Sequence, residues 1–267
     1  NPRAWAVALT ASTVMLTMGI TALVLWLLSL WGRWPRLVGM ALIYWTGLSM
    51  KCLAKEARGV EKALKSSVAE GRLRVARIVG RDTQSLTAHE ILRATIETVS
   101  ENTADGVISP MFYALLGGPI LMMGFKAAST LDSMVGYLNP KYKDIGWSSA
   151  RLDDLLNYIP ARLCAYLLCA AAFLLGLDGK NALRIVRRDH KNHKSPNCAW
   201  SEAAAAGALH IQLGGTHTYF GEPVEKPTIG DDGRPPEPAD IRRTICMMYL
   251  ASVLFMLIVL LIGLLLG

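Results

Sequence analysis

Two uncharged runs frame the chain. Residues 5–31 carry no charged side chain, and residues 245–267 are again uncharged and dominated by Leu, Ile and Val. About 20 helical residues, at 1.5 Å each, cross a bilayer core, so either run is long enough to span one. A helix bonds its own backbone groups, which a hydrocarbon solvent demands. A buried core helix is the bland alternative, and two runs this long with no polar face argue against it.

Three shorter apolar segments lie between them. Residues 37–50 sit between Arg36 and Lys51, whose long stems can snorkel to the interfaces. Residues 107–125 are interrupted by Gly117-Gly118-Pro119, and residues 163–177 lie between Arg162 and Asp178. Each reads as a span, a half-helix or a buried amphipathic helix. The pattern therefore predicts an all-α, polytopic integral membrane protein with broken or re-entrant helices and long polar loops. The first run exceeds a signal-peptide core and reads as a retained helix.

Local signals fill in the rest. Gly32-Arg33-Trp34-Pro35 reads as a tight turn between two helices. Residues 86–102 show a helical period, opened by a T-x-x-E capping box of Thr87 and Glu90. Asp105-Gly106 reads as a turn. Residues 129–158 read as a loop with a short helix. Residues 178–244 form the longest polar segment and end in a Pro-rich stretch, after which Asp240 is the expected cap of the last helix. Segment 51–106 is rich in Lys and Arg, which places it in the cytoplasm. If residues 107–125 cross fully, 129–158 lies on the opposite side; if they form a re-entrant hairpin, it shares the cytoplasmic side.

Composition changes this picture in two places. There are 28 Lys and Arg against 21 Asp and Glu, a net charge of +7. That suits a membrane surface and anionic ligands such as phosphates, and identifies neither. One short basic run beside a membrane does not make a nucleic-acid site, and no nucleic-acid partner is expected. The five cysteines are scattered, without a C-x-x-C pair. This fits reduced thiols and catalysis facing the cytoplasm.

Three clusters carry candidate chemistry. In the first, Arg81 and Asp82 precede the helix with Arg93, Glu97, Glu101 and Asn102. Residues four apart share a helix face, so Arg93, Glu97 and Glu101 form one stripe. Its carboxylates suit Mg²⁺, which prefers oxygen ligands; the bland alternative is a solvated face with an Arg–Glu pair. The second cluster runs from Lys126 through Asp132 to Arg151, Asp153 and Asp154. Ionisable groups beside apolar spans are costly and so are functional candidates, although an interface-anchoring ion-pair network would look the same. The third holds Asp189, His190, His193, Lys194, Ser195 and Asn197, followed by Glu202. It is basic and offers small polar groups for a phosphate. His190 and His193 have no obvious third ligand for zinc. No P-loop, dinucleotide G-x-G-x-x-G, H-E-x-x-H or G-x-S-x-G motif is present.

The runs GRDTQSLTAHEILRATIETVSENTADGVISPMFYALLGG, TLDSMVGY, GWSSARLDDLLNYIPARL and RDHKNHKSPNCAWSEAAAAGALHIQLGG, in this order, resemble the adenosylcobinamide-phosphate synthase family of cobalamin biosynthesis (CbiB/CobD type). The likeness extends from about Arg72 to Arg243 and includes Thr228-Ile229-Gly230-Asp231. Members usually carry a further N-terminal apolar segment with a Gly-Asp-Pro element, so residues 1–267 are expected to form one membrane-embedded catalytic domain lacking it.

The resemblance implies an ATP-dependent ligase of the cell membrane. It would join the free propionate of adenosylcobyric acid to the amine of aminopropanol phosphate, or a related amino-alcohol phosphate, through an acyl phosphate. Phosphoryl transfer relies on positioned cations more than on a protein nucleophile. On that basis Glu97, Glu101, Asp132, Asp153 and Asp154 are the candidate Mg²⁺ ligands. Arg81, Arg93, Lys126 and Arg151 would offset phosphate charge. Asp82 or His190 would accept the amine proton. Lys194, Ser195 and Asn197, with Asn102, Asp189 and Glu202, would hold substrate. A Mg²⁺-dependent membrane phosphotransferase and a membrane sensor or small transporter are the competing readings, and a homo-oligomer stays open.

Overall fold

The structure is a computed structural model that describes residues 2–136, 142–219 and 221–266. Tyr137, part of one motif above, lies outside the described residues. Contacts divide the chain into two compact units: residues 1–49 with 105–160, and residues 50–104 with 161–267.

The first unit is helical. It contains α1 (Pro2–Leu30), α2 (Arg33–Gly47), a π-helical turn (Ala104–Ile108) at its boundary, and, with the following helices numbered in chain order below, α6 (Ser109–Val135) and α7 (Trp147–Leu156). Here α1 packs on α2, α6 and α7, and α2 packs on α6. The polar side chains of α1 do not need water. Thr10, Thr13, Thr17 and Thr21 each bond a carbonyl four residues back, at 2.8–2.9 Å. The link between α1 and α2 is shorter than the four-residue turn expected. Helix α2 already starts at Arg33, and Pro35 sits in its first turn, where a missing N–H costs nothing.

The break at Gly117-Gly118-Pro119 is real. Helical geometry fails at Gly117 (φ −155°, ψ 28°) and Gly118 (φ 61°, ψ −154°) and resumes beyond. Two expectations are corrected nearby. Asp105-Gly106 does not make a turn, because the backbone stays helical through the π turn into α6. Nor is 129–135 loop: α6 continues to Val135, with Ser133 bonding the carbonyl of Ser129 so that its hydroxyl does not compete with the helix.

The second unit holds α3 (Met50–Ser66), α4 (Val68–Val75), α5 (Ala88–Thr103), most of α8 (Tyr158–Leu174), α9 (Gly179–Asp189), α10 (Cys198–Leu209) and α11 (Pro238–Leu266). Val60, Val75, Leu86, Ile91 and Ala94 form one core cluster between α3, α4 and α5. The expected capping box opens α5, with Thr87 accepting from the Glu90 N–H and Glu90 reaching back. Asp240 does not take the N-cap place. It lies within the first turn of α11 and accepts from the Glu237 N–H at 2.8 Å, the returning half of a capping box. Between α10 and α11, β1 (Leu213–Gly214) pairs antiparallel with β4 (Thr228–Ile229), and β2 (His217–Tyr219) with β3 (Glu222–Val224).

Four helical stretches among the described residues are long and apolar enough to cross a membrane: Pro2–Leu30, Arg33–Ser66, Ala88–Val135 and Pro238–Leu265. Counting the bent pair Trp147–Leu156 and Tyr158–Leu174 as one span makes five. Their outward faces are apolar: Trp5, Leu16, Trp26, Leu260 and Leu264 are all exposed.

Candidate functional site

The second unit builds its site from two helix faces that meet. On α5, Glu97 and Glu101 are one turn apart and share a face. On α10, Cys198 and Glu202 are likewise four residues apart. The two helices pack together, and the Cys198 Sγ–H donates to Glu101 Oε1 at 3.1 Å. Two loops close the sides. The Gly80–Arg81 turn is tied down through Asp82, whose N–H donates to the Thr218 carbonyl at 2.9 Å. The Asp82 carboxylate in turn accepts from the Gly221 N–H at 2.8 Å. The β1–β4 pair brings Gly214 beneath Glu97 and carries Lys226 and Pro227 to the rim. Gly214 has φ +74°, and a Cβ there would lie 2.5 Å from the Pro227 carbonyl oxygen, so this close crossing requires glycine.

The result is a cavity of about 220 Å³, below the usual 300–1,000 Å³ of drug-sized ligand sites. Arg81, Glu97, Thr98, Glu101, Asn102, His193, Glu202 and Lys226 supply its polar side chains. Glu97 is fully engaged: Arg81 bonds one oxygen and the Gly214 N–H bonds the other at 2.7 Å.

The charges shift one another. Burial, then the negative charge of Glu97 and Glu101, pushes the Glu202 carboxyl well above the usual carboxylate range, with Lys226 and Arg81 offsetting only part. The shift favours the protonated form of Glu202, in which the carboxyl can donate a hydrogen bond. Burial, then Lys226, holds His193 below the ordinary imidazole value, against the opposite pull of Glu101 and Glu97. Its Nδ1 accepts from the Ser195 N–H at 3.0 Å. The neutral ring therefore carries its proton on Nε2.

Of the residues singled out in the sequence, Arg81, Glu97, Glu101, Asn102 and Glu202 come together here. Arg93 lies beside Gly215, and its buried Nε has no hydrogen-bond partner. The others of the same unit do not line the cavity. Asp82 holds the hairpin turn. His190 bonds the Val186 carbonyl and packs against Trp200, with ring centroids 4.4 Å apart and the planes tilted by 38°. Burial opposes ionisation of Asp189, but Arg188 and the Gly230 N–H outweigh it and keep the carboxylate charged, in a structural role. Lys194 is exposed. Ser195 accepts from the Asn197 N–H and so shapes the turn that presents His193. Asn197 accepts from Arg162. His193 stood in the third cluster without an assigned role, and Thr98 and Lys226 stood in none of the three clusters.

Asp132, Asp153, Asp154, Arg151 and Lys126 belong to the first unit, where the three aspartates lie close enough to act on one another. Asp153 accepts from Asn157 at 3.0 Å, while Asp132 Oδ1 and Asp153 Oδ1 are buried without a hydrogen-bond partner. Arg151 is exposed. Among the described residues no three His, Cys, Asp or Glu side chains gather closely enough to hold a metal ion unaided. Mg²⁺ asks for less, taking one or two carboxylates together with substrate phosphates and water. Glu101 at the cavity wall meets that requirement, as do the unpartnered oxygens of Asp132 and Asp153.

The chain is similar to known proteins over most of its length. A relative from Listeria monocytogenes serotype 4b, named cobalamin biosynthesis protein CobD, is 50% identical over 249 residues, 91% of this chain and 79% of its own. The protein of that name from Citrobacter koseri is 54% identical over 225 residues, 84% of this chain and 70% of its own. Cobalamin biosynthesis protein CbiB from Salmonella typhi is 53% identical over the same length and shares. No solved structure matches. A family model described as CobD/Cbib protein matches residues 1–248, a stretch that takes in both units and every cavity residue, and the chain therefore belongs to the CobD/Cbib family.

Proposed function

We propose that this protein acts in cobalamin biosynthesis as a membrane-bound ligase. It joins the free carboxylate of adenosylcobyric acid to the amine of aminopropanol phosphate, or a close amino-alcohol phosphate, at the expense of ATP. The observation that supports this most directly is the mixed charge of the small cavity. A phosphorylated amine carries a dianion at one end and an ammonium at the other, and it needs both signs of charge within a few ångströms. Arg81, Lys226 and the His193 Nε2–H suit the phosphate end. Glu101 suits the ammonium.

The size of the cavity points the same way. About 220 Å³ accommodates a molecule of a few heavy atoms, not a corrin ring. The corrinoid would present only its propionate arm, with the ring outside.

An amine attacks only after losing its proton, and a carboxylate is attacked only after activation. ATP would supply the activation by transferring its terminal phosphoryl group to the propionate with release of ADP, and attack by the amine would then expel inorganic phosphate as the amide bond forms. Glu101 is the proton acceptor in this reading, since Glu97 is already engaged by Arg81 and Gly214 and burial favours the protonated form of Glu202. Protonated Glu202 and the His193 Nε2–H donate to the oxyanion that develops during attack. Mg²⁺ carried with the nucleotide would offset the charge of the phosphates.

An in vitro ligation assay with defined corrinoid, amine and nucleotide tests this reading. Lys226→Met should raise KM for aminopropanol phosphate at least about tenfold, the loss of one charge-assisted contact, while leaving the corrinoid KM near wild type. Glu101→Gln should lower kcat by about 100-fold or more, as expected for a lost general base. Folded protein that consumes no ATP with both substrates present would exclude the ligase and favour a sensor or transporter.

A further inference from the structure

Helix α3 presents a face that the ligase reading does not use. Lys51, Lys55, Arg58, Lys62 and Lys65 recur at intervals of four, three, four and three residues, so they form one stripe about 21 Å long. All five are exposed. Lys65 pairs with Glu61 of its own helix, whereas Lys51, Lys55, Arg58 and Lys62 enter no ion pair among the described residues.

The two acids of α3 are engaged by arginines of other elements. Glu56 is bound by Arg74 at 3.1 Å, with Arg77 at 3.8 Å, and buried Glu61 by Arg242 at 2.8 Å. Arginines from other elements thus neutralise these acids, and apart from the Lys65–Glu61 pair the outward charge is left uncompensated. Four successive like-charged neighbours at i,i+3 and i,i+4 weaken a helix rather than support it. Local stability therefore gives no reason for the stripe.

The position of α3 says what it meets. Its apolar face, with Leu53, Ala54, Ala57 and Val60, packs on α4, α5 and α11. The Glu61–Arg242 bond fixes it to α11 three residues before the long apolar run that starts at Ile245. In the chain, Lys51 follows the last residue of apolar α2, Gly47, by four positions. Both neighbours put the stripe where lipid gives way to water. No large apolar side chain of α3 is exposed, which fits contact with headgroups rather than insertion between acyl chains.

We propose that the outward face of α3 binds anionic phospholipid headgroups through Lys51, Lys55, Arg58, Lys62 and Lys65. It would clamp the cavity-bearing unit to a negatively charged leaflet. Juxtamembrane Lys and Arg each strengthen such attraction by about fivefold at moderate salt, so the stripe as a whole provides strong selection for anionic lipid.

The test uses the full chain in nanodiscs of mixed phosphatidylcholine and phosphatidylglycerol, with native mass spectrometry counting the lipids retained. The triple variant Lys55→Gln/Arg58→Gln/Lys62→Gln should lose at least about tenfold of the phosphatidylglycerol enrichment, and added salt should do the same to the wild type. The charge-preserving Lys55→Arg/Lys62→Arg variant should retain it. Melting of the triple variant should be unchanged or higher, since like charges have been removed. Undiminished enrichment in the triple variant overturns the proposal. So does equal loss in the charge-preserving variant. Stripe-dependent binding of soluble polyglutamate without any lipid preference would assign the face to an acidic protein instead and also overturn it.

Discussion

The backbone N–H of Gly214 donates to Glu97 Oε1 at 2.7 Å while Arg81 holds the other oxygen, so a strand and a turn from distant parts of the chain are tied to one carboxylate. The Glu97 and Arg81 side chains are only 6% and 8% exposed. Removing one partner of such a pair strands a buried charge and costs about 3–5 kcal/mol, whereas replacing both with apolar groups is often neutral. Glu97→Leu should therefore lower the melting temperature sharply, and Arg81→Met added to it should restore most of the loss. Ligation should stay absent in the double variant. Equal instability of single and double variants, in thermal melts in detergent, would show that the ion pair is not what holds the turn.

Glu202 sets a pH dependence of stability. Its carboxyl titrates above its unfolded value, so the folded state binds the proton more tightly than the unfolded one. The favourable contribution is fully present below the unfolded carboxyl range, about pH 4, and is lost as pH rises through the folded value. Glu202→Gln imitates the protonated form at every pH. The variant and wild type should melt alike near pH 4, and the variant should melt higher at pH 7–8. A lower melting temperature for the variant at neutral pH would mean that ionised Glu202 is itself stabilising.

The sequence displayed the α5 half of this site because helical spacing is local. Glu97 and Glu101 share a face by periodicity alone, and Thr87 with Glu90 announces where the helix begins. The other half was hidden for physical reasons. His190 and His193 look like an i,i+3 pair, but α9 ends at Asp189, and the irregular turn beyond it sends His190 onto Trp200 and His193 into the cavity. Lys226 lies in a proline-rich loop with no period at all, 129 positions after Glu97, and only the β1–β4 pairing brings it there. The spans were legible from hydropathy. The helical course through Asp105-Gly106 was not, since a π turn leaves no compositional mark.

Gly207 tests how tightly α9 and α10 must pack to aim Glu202. A Cβ there would lie 2.7 Å from Ala182 Cα and 2.8 Å from the Asn181 carbonyl oxygen, both backbone atoms that cannot step aside. Gly207→Ala must push the helices apart, at a cost of about 1–3 kcal/mol. Because Glu202 sits on the same helix, KM for the amine substrate should rise as well. The comparison variant is Ala208→Ser, which adds a single atom at the next position. Similar losses in both would point to general intolerance of α10 rather than to the close approach at Gly207.

The break in α6 makes a sharper prediction about which residue causes it. Proline is the usual suspect, since it lacks an N–H and crowds the preceding turn. Yet the non-helical angles belong to Gly117 and Gly118, and the combination at Gly118, φ 61° with ψ −154°, is one that only glycine adopts without strain. Restoring an N–H with Pro119→Ala leaves those angles untouched and should be nearly neutral. Gly118→Ala should instead cost about 1–3 kcal/mol or force the segment straight. Spin labels at positions 112 and 126, on either side of the break and in a background without the native cysteines, separate the two cases. Their distance should be unchanged in Pro119→Ala and longer in Gly118→Ala. Lengthening in the proline variant alone would return the kink to Pro119.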